Sequence, residues 1–189
     1  MKLNRKSRIY GAALFVLVLS SGVAATQISK WPAPKAPVIP QADGYVAIPQ
    51  AAFPPDKTRT YRAIFDATRP AEKPSQLIPA LNMAGSVLND LGAVGAPIRN
   101  AKFVVVFHGA AVDGILDAAH YKAKFGAANP NLKVLSEFKK AGCELYVCGQ
   151  YLAGEKIEPK TLSRDVTVAS DALIVLITYQ NKGYALLSF

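Results

Sequence analysis

Five apolar residues in a row, Phe103-Val-Val-Val-Phe107, end at His108-Gly109. They do not alternate with polar residues, so a strand built from them has no face to offer water. That is the pattern of a parallel strand buried on both sides, with helices above and below. The chain is therefore expected to fold as an α/β protein, and the remaining segments are read around this strand.

Upstream, Tyr61-Arg-Ala-Ile-Phe65 reads as a first strand with Asp66 at its tip. From Pro74 a helical pattern follows, with Leu77, Ile78, Leu81, Val87, Leu88 and Leu91 at helical spacing. Gly92 and Gly95 end it, and Pro79 in the first turns delays its start. Downstream, Ile115 to Phe125 reads as a second helix and Asn129-Pro130 as a turn. A third helix carries Leu132, Leu135 and Phe138 and stops at Gly142. Glu144 to Val147 is the next strand, ending in Cys148-Gly149-Gln150, followed by a short turn or helix to about residue 156. Pro159 to Leu162 supports a helical turn and Val166 to Val168 a short strand. Ala172 to Thr178 is compatible with strand or helix, because Ala172-Leu-Ile-Val-Leu-Ile177 is β-branched yet continuously apolar. Ser170 as N-cap, Asp171 in the first turn, and Lys182 with Gly183 at the end favour a helix buried on most sides. Tyr184 to Phe189 closes as a strand. The order predicts a three-layer α/β/α sandwich around a mostly parallel five-stranded sheet.

The body so defined spans residues 59–189. Residues 26–58 hold Trp31-Pro-Ala-Pro-Lys-Ala-Pro37, Pro40, Pro49 and Phe53-Pro-Pro55. Proline at this density excludes a central strand or a continuous helix, so the segment is a proline-rich arm or linker. Trp31, Tyr45, Ile48 and Phe53 fit an arm lying on the body or on a neighbouring subunit. Residues 1–25 read as a signal peptide: a basic start, the apolar run Ile9 to Leu19, and Val23-Ala24-Ala25 before Thr26. This predicts export to a periplasmic compartment. The alternative is an uncleaved signal serving as an anchor, which would be the chain's only membrane attachment.

Lys2, Arg5, Lys6 and Arg8 supply four of the nine net positive charges, so much of the basicity belongs to this leader. The rest is not clustered, and no nucleic-acid partner is expected. There is no glycine-rich phosphate loop and no nucleophile elbow. The spacing of His108, His120, Cys143 and Cys148 matches no usual zinc pattern. Neither a metal nor a cofactor is expected.

The chemistry then rests on Cys148. An open α/β sheet binds ligands beyond the carboxyl ends of its strands, and Cys148 stands at such an end. Backbone N–H groups of the following turn can stabilise its thiolate. His108 ends another strand, and an imidazole nearby can take the thiol proton or pair with the thiolate. The competing reading makes Cys148 a small buried hydrophobe and His108 a loop cap. Cys143 lies five residues earlier, roughly 16 Å away along an extended segment and on the opposite face. A disulfide needs Cα atoms within about 7 Å, so the two should not bridge, and Cys143 is assigned to packing. Tyr121, Asn129, Gln150, Asp113 and Asp117 are assigned to packing, turns and solvated faces.

With these segments in order, residues from about Tyr61 to Phe189 resemble the DsrE/DsrF-like family. The resemblance is carried by Val104-Val-Val-Phe-His-Gly109, Asn129-Pro130 with Leu135, and Ala141-Gly142 leading to Tyr146-Val-Cys-Gly-Gln150. Gln180-Asn-Lys-Gly-Tyr-Ala185 adds to it. It implies a compact α/β/α sandwich and a homo-oligomer, a trimer or hexamer. In some relatives a cysteine carries sulfur as a persulfide, and Cys148 matches that position; His108 matches a strand-tip histidine of part of the family. An exported protein cannot thiolate cytosolic tRNA, which separates this chain from the cytoplasmic relay members. The expected function is sulfur handling by an exported persulfide carrier working with a sulfur donor or acceptor protein. The alternatives are a non-enzymatic binding module and a thiol redox sensor.

Overall fold

The computed structural model describes residues 31–189; the leader assigned to residues 1–25 lies outside them. Five strands form one sheet: β1 (Tyr61–Ala67), β2 (Ala101–Phe107), β3 (Glu144–Cys148), β4 (Thr167–Ala169) and β5 (Ala185–Ser188). Their order is β4-β3-β2-β1-β5, and all four pairings are parallel. The helices are α1 (Pro79–Ala93), α2 (Ala118–Phe125), α3 (Asn131–Lys140), α4 (Gly149–Gly154) and α5 (Ala172–Asn181).

The continuous apolar run of β2 is explained by what lies on each side of it. Phe103, Val105 and Phe107 join Ala63, Phe65, Leu145 and Val147 in the larger core, with Leu81 and Leu88 of α1 and Val134, Leu135 and Phe138 of α3. Val104 and Val106 turn the other way, into a smaller core with Ile64, Cys148, and Ala172 and Leu176 of α5. Topology produces this asymmetry. The chain steps from β1 to β4 in one direction across the sheet, then α5 carries it back to the far edge to place β5 beside β1. Parallel crossovers are right-handed, so reversing the direction of travel puts α5 on the opposite face. It touches β1, β2, β3 and β5 there.

Several boundaries move for local reasons. Helix α1 starts at Pro79 rather than Pro74, since proline is tolerated in the first turn, where its missing N–H is no loss. The second helix starts at Ala118, where the Asp117 carboxylate accepts the His120 N–H; Gly109–Ile115 is 3-10 instead. The stretch compatible with strand or helix is helix α5, capped by Asp171, whose side chain accepts the Leu173 N–H; Ser170 lies one residue before the cap. The expectation that α5 is buried on most sides is corrected. Only Ala172 and Leu176 are buried, while Leu173, Ile174 and Ile177 are 60 %, 57 % and 54 % exposed. One helix crossing a sheet has a single inward stripe, and no second helix flanks it among the described residues.

The arm lies on the body. Lys35 and Tyr45 form an antiparallel bridge, and the loop between them rests on α1, with Ile39 fully buried. Asn89 of α1 secures it: its side-chain oxygen accepts the Val38 and Ile39 N–H groups, and its nitrogen donates to the Ile39 and Asp43 carbonyls. Close approach needs a glycine on the helix. A Cβ at Gly85 would stand 2.5 Å from the Cβ of Ala42, a distance that no packed pair sustains.

Candidate functional site at the strand tips

Because side chains alternate along a strand, Tyr146 and Cys148 face α5, while Leu145 and Val147 enter the larger core. Cys143 is also in the larger core. The two thiols thus sit on opposite faces, and both are free. Burial pushes the Cys143 thiol up to about 12, which leaves it protonated and inert at neutral pH.

Cys148 ends β3 and is the N-cap residue of α4. Its sulfur is covered by the first turn of α5, leaving the residue 5 % exposed. The Ala172 N–H donates to Sγ at 3.2 Å, and Sγ lies 3.9 Å from Asp171 Oδ1. The same carboxylate oxygen accepts the Leu173 N–H at 2.8 Å. Sulfur and carboxylate therefore share the donors of one helix start, where the partial positive charge of the helix dipole favours anions. The chain can pass this closely only because residue 149 is glycine: a Cβ there would lie 2.7 Å from the Ala169 carbonyl oxygen and 3.2 Å from that of Ser170.

His108 continues β2 by one residue in extended conformation, and its N–H donates to the Ala67 carbonyl. Phe107 is in register with Val147, so His108 stands beside Cys148 on the neighbouring strand. Its ring turns toward β1, placing Nε2 2.6 Å from Asp66 Oδ1. The Ser188 hydroxyl lies 3.5 Å from the other Asp66 oxygen. The strand ends thus bring His108 and Cys148 to adjoining positions on one face, and the direct bond of His108 runs to Asp66. The site gains two residues that the sequence did not single out for chemistry, Asp66 and Asp171. The only signal for Asp66 was its place at a strand tip; Asp171 was visible as a helix-start residue, but not as a neighbour of the thiol.

The other candidates have structural tasks. The Tyr121 hydroxyl donates to the Pro74 carbonyl, and Asn129 donates to Gly114 and Leu116. Asp113 pairs with Lys124, Asp117 caps α2, and Gln150 is exposed. At the far end of the same face, the Tyr146 and Tyr179 hydroxyls both donate to Glu144 Oε2, at 2.7 and 2.6 Å, tying α5 to β3. Burial and the bond to Glu144 push the Tyr179 phenol above its ordinary range. A hollow of about 680 Å³ lined by Gln41, Arg69, Met83 and Phe189 lies away from the thiol. Among the described residues no three His, Cys, Asp or Glu side chains converge as metal ligands, and no helix is long and apolar enough to cross a membrane.

An open five-stranded parallel sheet with helices on both faces places the chain among the small α/β proteins. A family model described as the DsrE/DsrF-like family matches residues 62–189, and the chain belongs to that family. Two solved structures share the fold: a protein of unknown function, MTH1491, from Methanobacterium thermoautotrophicum, and the ychN protein from E. coli. Each is 16 % identical to this chain, with a TM-score of 0.50 over 68 % of it and 99 % of the other. No curated protein matches it.

Proposed function

We propose that this is an exported sulfur carrier in which Cys148 accepts and passes on a sulfane sulfur. The supporting observation is the strand-tip thiol under a helix start, with a backbone N–H aimed at its sulfur at 3.2 Å. A donor placed there stabilises a thiolate or persulfide anion. The exchange is redox-neutral. The Cys148 thiolate attacks the outer sulfur of a donor persulfide R–S–SH, a sulfur–sulfur bond forms as the donor's breaks, and R–S⁻ leaves. An acceptor thiolate then takes the outer sulfur from Cys148 and restores the starting thiolate. Donor and acceptor are thiol proteins or small persulfides.

The experiment uses protein recovered from the periplasmic fraction, expected to begin at Thr26. Incubation with polysulfide should add about 32 Da at Cys148, the mass of one sulfur in a persulfide. The adduct should be removed by a thiol reductant and absent from Cys148→Ser. Sulfur on Cys143 alone, or none at all, would sink the proposal, and an uncleaved leader in the membrane fraction would sink the periplasmic placement.

A second reading, a non-enzymatic binding module, is favoured by the near-complete burial of Cys148 and by the use of its sulfur as a helix-start acceptor. On that reading Cys148→Ser keeps the acceptor and leaves partner binding intact.

We also propose that the protein works as a homo-oligomer, a trimer or hexamer, supported by the exposed apolar side of α5 at Leu173, Ile174 and Ile177. Patches of this kind on a soluble domain mark interaction surfaces. Light scattering should give three or six chains per particle for the parent and single chains for the Ile174→Glu, Ile177→Glu double variant. A monomeric parent at micromolar concentration would refute it.

A further inference from the structure

We propose that Asp171 is a positioning residue whose carboxylate opposes, at the Cys148 sulfur, the thiolate that the Ala172 N–H favours. This deepens the sulfur-carrier reading and rests on Cys148 being the working thiol.

The geometry sets two opposed influences within one helix turn. The Ala172 N–H points at Sγ from 3.2 Å, and a donor at that distance favours the anionic sulfur. The Asp171 carboxylate is 3.9 Å from the same atom, and a like charge so near disfavours ionisation. Asp171 cannot swing clear without giving up the Leu173 N–H it holds at 2.8 Å, so its charge is fixed beside the sulfur by the cap it makes. The remaining polar groups around the thiol are fewer. His108 stands on β2 with its ring committed to Asp66 of β1. Tyr146 precedes Cys148 on the same face of β3 with its hydroxyl on Glu144. Tyr151 of α4 and Tyr179 of α5 border the small core. None of their hydrogen bonds described above reaches Sγ. Asp171 is the acidic group hydrogen-bonded to it.

A plain helix cap would have no reason to affect the thiol, and this separates the two roles. Asparagine caps a helix as well as aspartate does, so Asp171→Asn removes the charge and keeps the cap. The full exported chain and this variant would be compared in two ways: the pH dependence of Cys148 alkylation by iodoacetamide, read on the Cys148 peptide by mass spectrometry, and the thiolate absorbance near 240 nm, taken as the difference from Cys148→Ser. The absorbance needs no access of reagent to the buried sulfur. Asp171→Asn is expected to move the ionisation midpoint down by roughly one pH unit and to raise the alkylation rate at pH 7 several-fold, with an unchanged melting temperature. An unchanged midpoint by absorbance overturns the proposal and leaves Asp171 as a cap. A lowered midpoint in a protein that takes up no sulfur keeps the Asp171 assignment while removing the carrier function. Sulfur uptake with an unchanged midpoint does the reverse.

Discussion

Replacing Asn89 with alanine is expected to destabilise the protein by about 3–5 kcal/mol, since each buried group left unpaired costs about 1–3 kcal/mol and a broken buried network is among the largest single-site effects. Asn89 is fully buried, and its side chain makes two bonds as acceptor and two as donor to the arm. Alanine fills none of these positions: the Val38 and Ile39 N–H groups lose their acceptor beside a side chain that is itself fully buried, while the Ile39 carbonyl keeps only the Ala42 N–H. For a domain of this size such a loss lowers the melting temperature by roughly 6–20 °C. Limited proteolysis should also cut first within residues 44–58, because the arm would lose the anchor that holds it on α1. A variant that melts with the parent and resists proteolysis in the arm would show that the Ile39 contact alone holds the segment.

The second large effect is expected at Gly149. Alanine there puts a methyl group 2.7 Å from the Ala169 carbonyl oxygen. Backbone surrounds the position on that side, so the conflict is relieved only by moving the end of β4 and the start of α5 away from Cys148. Overpacking of this kind costs about 1–3 kcal/mol. It should also lift the first turn of α5 off the sulfur, so that the buried Cys148 is opened to reagent and alkylates faster at constant pH, while the melt falls by roughly 2–12 °C. An unchanged alkylation rate in a destabilised variant would mean that the helix start follows the strand and the cover over the sulfur stays intact.

These two positions mark where the sequence was readable and where it was not. The parallel sheet could be read from Phe103–Phe107, because a run without alternation fits burial on both faces, and both cores are present. The opposite facing of Cys143 and Cys148 followed from odd spacing. The narrow buried stripe of α5 did not follow from its sequence, because Leu173, Ile174 and Ile177 read as core residues until the topology shows α5 crossing that face with no second helix beside it among the described residues. The docking of the arm was open for a similar reason. Asn89 looks like an ordinary polar helix residue, and the four backbone groups it bonds, on Val38, Ile39 and Asp43, lie about fifty residues earlier. At the site, strand alternation could bring Cys148 and His108 to one end of the sheet. It could not show the ring turning to Asp66, nor Asp171 beside the sulfur, since both contacts depend on side-chain direction and on where the return helix lands.

The return path of α5 has a consequence in time as well as in space. The turn that covers the Cys148 sulfur comes from residues 171–176, and α5 leads into a strand that pairs with β1 across more than a hundred residues of sequence. A ribosome therefore delivers the thiol before its cover, and the longest-range pairing of the sheet must close to hold that cover in place. Contacts of such separation are slow to form, because the loop must be closed before any of them contributes. Until the last strand joins β1 at the far edge, Cys148 is an uncovered thiol at the end of an inner strand.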